Sequence, residues 1–329
     1  MLQLAENTNE SLVKKVIKKA LVSAYMTTNR YLGPLFERLI WTNVDRAAAP
    51  ANTPIFIIGA PRAGTTLTFQ LMVSGFRLGY LTNTHCMVFG VPALASHLLK
   101  NKDRNIDFKS NYGRTSGRYG PSECGEWWYR FFPRDPAYVR REDMPTGALK
   151  AFQRSLQTIA NAEDRPLVFK NLYAGLRLEP IVAMFPDAIF IHVQRDRVEN
   201  AISILEGRNA ANGNFNTWWS VPPPGYEAWI GQPAADQVMA QIDLIEAQID
   251  RDTRNLGLGD QMMKVNYRDI CADPAAFLSR AQTFLNSRGV ELSLVGDPPM
   301  RFERRRSNQL PKEIVDRLWA LEQGTTNDV

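Results

Sequence analysis

Residues Gly59-Ala-Pro-Arg-Ala-Gly-Thr-Thr66 combine two glycines, one internal cation and two adjacent hydroxyls. They follow the apolar run Ile55-Phe-Ile-Ile58 and open a helical pattern. A glycine-rich turn between strand and helix aims several backbone N–H groups at one point, and the helix dipole adds positive potential there. Such a segment is an anion cradle. Gly59 and Gly64 occupy the two glycine positions of the nucleotide-triphosphate loop, G-x-x-x-x-G-K-S/T, but Thr65 stands where that loop has its lysine. The cation sits inside the loop instead, as Arg62. A triphosphate-using enzyme needs that lysine and a magnesium ion on the β and γ phosphates. No convincing carboxylate for magnesium is found either, since Asp196 follows a strand-like run only after Arg195. The loop therefore fits a less charged anion, and a tight turn without a ligand would leave Arg62 and the paired threonines unexplained.

A second anion contact is spaced in the same way. The run Ile189-Phe-Ile-His-Val-Gln194 ends in Arg195, and Ser203 follows eight residues on, in a helical pattern beginning at Val198. Ligands of open α/β sheets bind at the C-terminal ends of strands. Arginine offers a phosphate a bidentate fork, and the serine adds a donor. Alone, the pair is weak, because a surface salt bridge would explain the arginine equally. Together with the first loop it resembles the PAPS-dependent sulfotransferase family, whose 5′-phosphosulfate loop reads Pro-Lys/Arg-Ser/Ala-Gly-Thr-Thr. Pro61 to Thr66 match it throughout, with arginine as in many bacterial members. The resemblance implies that Arg62 contacts the sulfuryl and bridging oxygens of PAPS (3′-phosphoadenosine 5′-phosphosulfate). It implies that Ala63, Gly64, Thr65 and Thr66 surround the 5′-phosphate, and that Arg195 and Ser203 hold the 3′-phosphate. Pro166-Leu-Val-Phe-Lys-Asn171 resembles the family's strand ending in lysine, and Val265-Asn-Tyr-Arg-Asp-Ile270 its later strand–helix junction. Arg197 and Arg268 depart from the family's usual proline and glutamate at their positions. The likeness extends over about residues 53–320.

Sulfuryl transfer requires attacking oxygen, sulfur and leaving oxygen in line, with cations on the charge that builds on the leaving nucleotide. Arg62 is the first candidate for that cation and Lys170, at the end of a predicted strand, the second; an exposed lysine is the plainer account of Lys170. The acceptor hydroxyl needs a general base. One family branch has a glutamate some twenty residues after the loop cation, but this chain reads Leu81-Thr-Asn-Thr-His85 there. Glu123 and Glu126, in Pro121-Ser-Glu-Cys-Gly-Glu-Trp-Trp128, are the preferred bases, and His85 is next. Helix capping or a salt bridge would equally account for the glutamates, and a packed core imidazole for His85. Trp127, Trp128, Trp218, Trp219 and Trp229 are dense for loop residues, which points to a glycan or lipid-like alcohol as acceptor, although about half are expected in the core. Arg304 to Arg306 read as a solvated basic run, or as a clamp on the nucleotide or an anionic acceptor.

The elements that must position these groups are legible in the pattern. Apolar runs at Ile55–Ile58, Leu167–Phe169, Ala188–Val193 and Met262–Val265 are separated by helical periodicity, as at Asp236–Arg251. The expected fold is α/β, a P-loop-like central parallel sheet with helices on both faces. Residues 101–125 and 207–235, rich in glycine, proline, asparagine and aromatics, read as long loops on the rim of the sheet. Residues 1–50 read as an amphipathic helical arm ahead of a sulfotransferase domain at 51–329, with 47–54 as linker. In the arm, Val16, Ile17 and Leu21 recur at helical spacing between lysines. Packing on the core is the plain reading, and peripheral contact with an anionic membrane surface the sharper one.

Composition bounds the rest. The 329 residues are 44% hydrophobic and 22% charged with a net charge of +5, enough for a large core and mildly suited to an anionic ligand. No basic tract interleaved with aromatics argues for nucleic acid. Three widely spaced cysteines support neither a disulfide framework nor a metal site, so a reducing, cytoplasmic setting and no metal cofactor are expected. Two rival functions remain at this stage: a nucleotide or small-molecule kinase on the same fold, and a membrane-associated scaffold without catalysis.

Overall fold

The computed structural model describes residues 12–40, 53–99, 106–303 and 310–326. The helices begin with α1 (Leu12–Thr27), α2 (Gly33–Ile40), α3 (Thr65–Gly75), α4 (Asn83–Met87), α5 (Pro92–Leu99) and α6 (Gly125–Trp128). They continue with α7 (Thr146–Glu163), α8 (Leu178–Met184), α9 (Arg197–Asn212), α10 (Ala234–Asn255), α11 (Tyr267–Ala272), α12 (Pro274–Asn286) and α13 (Lys312–Thr326). Strands β1 (Ile55–Ile58), β2 (Val168–Lys170), β3 (Ile189–Gln194) and β4 (Met262–Asn266) form one parallel sheet in the order β2-β1-β3-β4. The strands are near-continuous apolar runs because the sheet is covered on both faces. Ile55, Ile57, Val168, Ile189 and Ile191 meet Phe69 and Met72 of α3 and Phe277 and Leu278 of α12. The alternate residues Phe56, Ile58, Phe169 and Phe190 meet Phe152 of α7, Ile181 of α8 and Ile245 and Ile249 of α10.

Register places three phenylalanines side by side across β2, β1 and β3. Phe56 stacks on Phe169 at 5.6 Å and on Phe190 at 5.7 Å between ring centroids. Offset stacking of this kind adds to the burial of each ring. A third cluster joins Val198 and Leu205 of α9, Val238 and Ile242 of α10 and Leu318 of α13. Arg197 ties the same three helices through Asp243, at 2.8 Å from Nε, and Glu322, at 2.9 Å from Nη1.

The predicted strands and the predicted helix at 236–251 lie within or beside the observed ones. The loop expected at 207–235 starts later, because Gly207 to Asn212 extend α9. Gly207 lies inside α9, and the absence of a side chain there makes room for the Trp219 ring, which a Cβ would meet at 2.7 Å. Six of the eight linker residues, 47–52, lie outside the described residues, as do Arg304 to Arg306.

The strand order reverses between β1 and β3, which opens a crevice at their C-terminal ends. Gly59 leaves β1 there with φ 149°, and a Cβ on it would fall 2.3 Å from the Val193 carbonyl oxygen of β3. No L side chain fits that approach.

The arm docks in an unexpected orientation. α1 and α2 are joined by a π-helical turn, Thr28–Leu32. Met26 packs against the core and the Tyr25 ring meets Phe89 edge-on at 6.2 Å, but several contacts with the body are polar: the Tyr25 hydroxyl donates to the Met87 carbonyl at 2.7 Å, and Arg30 to the Tyr129 carbonyl at 2.9 Å. The Gly90 N–H donates to Asn29 Oδ1 at 3.1 Å. Glu37 accepts the N–H groups of Ala93 and Leu94, at 2.6 and 3.2 Å, and so caps α5 from another helix. Val16, Ile17 and Leu21, expected to seat α1 on the core, are exposed instead.

Two predictions follow from these contacts. Gly59→Ala should destabilise the protein by roughly 2 to 4 kcal/mol, from backbone strain plus a backbone collision. Gly213→Ala, also at positive φ but with nothing within 4 Å, should cost only about 1 kcal/mol; equal losses in urea denaturation would refute the close-approach argument. The second concerns pH. Burial pushes the Glu37 carboxyl up from 4.5 to about 7, against the pull of the two N–H groups and Arg130. Between those values the docked arm keeps a proton that the undocked chain releases, so docking weakens as pH rises from 4.5 to about 7 and is constant above. Melting curves of the wild type should lose stability through that window relative to Glu37→Gln, and parallel curves would contradict the assignment.

Candidate active site

The loop after β1 is shaped by its neighbours. Gly64, at φ 106°, precedes the first turn of α3, and a Cβ on it would lie 2.2 Å from the Tyr267 ring. Arg62 adopts φ 64°, a left-handed conformation that costs a non-glycine residue about 1 kcal/mol or more. It is held there from two sides. Its Nε donates to Ser203 Oγ at 3.1 Å, and its carbonyl accepts from Arg195 Nη1 at 3.2 Å. The Asp196 side chain caps α9 by accepting the Glu199 N–H at 3.0 Å. That cap fixes where α9 begins, and hence that Ser203 faces the loop.

Both guanidiniums lie over aromatic rings. Arg62 Cζ is 5.2 Å from the Tyr112 ring centroid and Arg195 Cζ is 4.7 Å from that of Tyr267. Burial, and then the neighbouring charge of Arg195, hold the Arg62 guanidinium below its ordinary pKa. Arg195 is paired loosely, with Glu199 at 3.6 Å, and a bound anion would further relieve the repulsion between the two adjacent part-buried cations. Tyr267 is pushed up to about 12, chiefly by burial and then by Cys271, so it stays a neutral phenol over Gly64.

Lys170, the last residue of β2, is buried and forms an ion pair with Glu123. Gly113 marks where these groups converge. A Cβ on Gly113 would lie 3.7 Å from Glu123 Oε1, 3.7 Å from Thr66 Oγ1 and 3.9 Å from Lys170 Nζ. Loop, strand end and Glu123 thus share one cleft of about 280 Å³. Arg62, Gly64, Thr65, Thr66, Lys170, Glu123 and Arg195 line it, together with Tyr112, Trp219, Tyr267 and Phe302. Ala63 is buried within the loop, and Ser203 joins the site through its bond to Arg62. The arrangement can bind an extended dianion or polyanion and place a paired carboxylate and ammonium beside it.

Two candidate bases are not brought to the cleft. His85 is fully buried. Its Nδ1 accepts the Thr82 N–H at 3.0 Å, which leaves the proton on Nε2, 3.0 Å from Ser96 Oγ. It is a capping residue of α4 packed in the core. Glu126 lies in α6, within electrostatic reach of Tyr25, and does not line the cleft. Trp127 and Trp128 are also core: both are fully buried, and Trp127 stacks on Phe169 with 4° between ring planes. Of the five tryptophans, Trp219 alone lines the cleft.

Tyr112, Tyr267 and Phe302 were not singled out from the sequence. Tyr267 carried a usable signal, since it directly follows a strand end on the binding rim. Tyr112 and Phe302 carried none, because loop and tail trajectories bring them in.

Residues 54–289 match the family model described as the sulfotransferase family. The omega-hydroxy-beta-dihydromenaquinone-9 sulfotransferases of Mycobacterium bovis and Mycobacterium tuberculosis are each 26% identical over 192 residues, 51% of this chain and 48% of theirs. The chain thus spans about half the length of these curated relatives. A crystal structure of a sulfotransferase from Mycobacterium avium has a similar fold, with a TM-score of 0.54 at 16% identity, covering 91% of this chain and 75% of that one. The matched segment, 54–289, contains the loop, Glu123, Lys170, Arg195, Ser203 and Tyr267, and the chain belongs to the sulfotransferase family.

Proposed function

We propose that the chain takes the sulfuryl group of PAPS and transfers it to the hydroxyl of a lipid-like alcohol, releasing 3′-phosphoadenosine 5′-phosphate. The observation that carries this reading is the pairing of the Arg62 loop with Arg195 and Ser203 across the β1/β3 crevice, opposite Lys170 and Glu123. The first group offers two guanidiniums, a hydroxyl and the first turn of α3, enough donors for a nucleotide with phosphates at both its 3′ and 5′ positions. Thr65 in the lysine position argues against a triphosphate, as does the cation inside the loop.

In this mechanism Arg62 and the first turn of α3 hold the 5′-phosphosulfate, and Arg195 with Ser203 holds the 3′-phosphate. Glu123 accepts the proton of the acceptor hydroxyl as its oxygen bonds to sulfur. The bond from sulfur to the bridging oxygen breaks, its electron pair stays on the departing phosphate, and Arg62 and Lys170 stabilise that charge. Lys170 also holds the Glu123 carboxylate in place before reaction. A lipid-like acceptor is favoured over a glycan for two reasons. Trp127 and Trp128 are core residues, which leaves Trp219 as the one tryptophan of the five at the cleft and weakens the case for a stacked sugar platform. Tyr112, Trp219 and Phe302 give the cleft an aromatic wall. The mycobacterial relatives are named for a hydroxylated menaquinone, in line with this choice.

Titration calorimetry tests the donor. 3′-Phosphoadenosine 5′-phosphate should bind without magnesium, and Arg195→Ala should weaken it about 30- to 100-fold by removing a charge-assisted contact. Preference for ATP with magnesium would replace this reading with a kinase. Glu123→Gln and Lys170→Ala test the chemistry. Each should lower kcat by about 10²- to 10⁴-fold and leave nucleotide affinity within a few-fold of wild type; retained kcat in Glu123→Gln would remove it as the base.

A further inference from the structure

Apart from Met26 and Tyr25, which pack against the body, the arm leaves its large apolar side chains exposed. α2 meets the body through Glu37 and through Gly33, where a Cβ would come within 2.9 Å of Gly90. Leu32, Leu35, Phe36 and Leu39, at the i, i+3, i+4, i+7 spacing of one helical face, are 58, 58, 53 and 73% exposed. Val16, Ile17 and Leu21 of α1 are exposed as well. A helix of a soluble domain normally buries such a stripe.

Charge decides what covers it. Residues 12–40 contain six lysines and arginines and one acid. That acid, Glu37, is buried at the α5 cap, while Lys14, Lys19 and Arg38 are exposed. An apolar stripe among cations, with no exposed acid among the described residues 12–40, fits the interface of an anionic bilayer: leucines enter the acyl boundary and the basic groups meet the headgroups. A second copy of this chain fits worse, because pairing the face with itself would bring two cation-rich segments of like charge together.

We infer that α1 and α2 form a docking surface for an anionic lipid bilayer. Among the described residues no helix is long and apolar enough to cross a membrane, so contact is peripheral. Docking would also set the site beside the lipid. Arg30 holds the Tyr129 carbonyl immediately after α6, and α6 begins two residues beyond Glu123. The exposed stripe and its cations lie outside the cleft, so docking is independent of the choice of acceptor.

Vesicle flotation of the full chain tests it, with vesicles of phosphatidylcholine and phosphatidylglycerol in equal parts and with phosphatidylcholine alone. The wild type should float with the anionic vesicles. Leu35→Ser with Leu39→Ser should weaken binding at least about tenfold. Lys19→Ser with Arg38→Ser should weaken it by about tenfold on anionic vesicles only. Both variants should melt with the wild type, since the altered side chains are exposed. Absence of flotation, or flotation unaffected by the leucine variant, overturns the inference. So would a fall in melting temperature in that variant, which would mean that the stripe packs on protein. A dimer in sedimentation that the leucine variant dissociates would assign the face to a second copy instead.

Discussion

The C-terminal end of β1 lies against β3 with no room for a side chain between Gly59 and the Val193 carbonyl. That approach turns the chain back over the crevice and carries Arg62 to the residues that follow β3. Arg195 then reaches the Arg62 carbonyl, Arg62 reaches Ser203 on α9, and Tyr267 closes over Gly64 from the end of β4. Each contact joins a loop residue to the C-terminal end of a different strand or to the helix that follows. The left-handed backbone of Arg62 is kept by this enclosure, since its local cost of about 1 kcal/mol is comparable to one or two neutral hydrogen bonds.

The same geometry concentrates positive charge where water is scarce. Arg62 and Arg195 are held close together by the Arg195–Arg62 carbonyl and Arg62–Ser203 hydrogen bonds, with the rings of Tyr112 and Tyr267 beneath them. A binding anion therefore meets donors already oriented and only partly solvated. On the other side of β1, Lys170 is compensated by Glu123. The cleft is thus divided into a half dominated by Arg62 and Arg195, where Glu199 lies 3.6 Å from Arg195, and a half held by the Lys170–Glu123 pair. A transfer reaction between an anionic donor and a neutral hydroxyl calls for that division.

The arm follows a different physical logic from the body. It is attached largely through hydrogen bonds that involve main-chain groups, one glycine–glycine contact and the packing of Met26 and Tyr25, while most of its large apolar side chains are exposed. The α6 segment is the physical connection between the two regions, since it carries Tyr129 at one end and follows Glu123 at the other.

The sequence by itself determined the sheet and the anion loop. Strands buried on both faces are continuous apolar runs, and Pro61 to Thr66 are residue types whose local backbone already makes a cradle. Arg195 with Ser203 was legible for the same reason, since a strand end and a helix position are set by local pattern. Only the tertiary structure decided the rest. His85, Trp127 and Trp128 have the composition of site residues, but their burial depends on which helices pack over β1 and β2. Glu123 and Glu126 are three residues apart in one loop-to-helix segment, and only the fold sends one to Lys170 and the other toward Tyr25. Periodicity showed that the arm is amphipathic but not which side meets the body. That choice rested on carbonyls and N–H groups of distant segments, Met87, Gly90, Ala93 and Tyr129, whose positions no local pattern encodes.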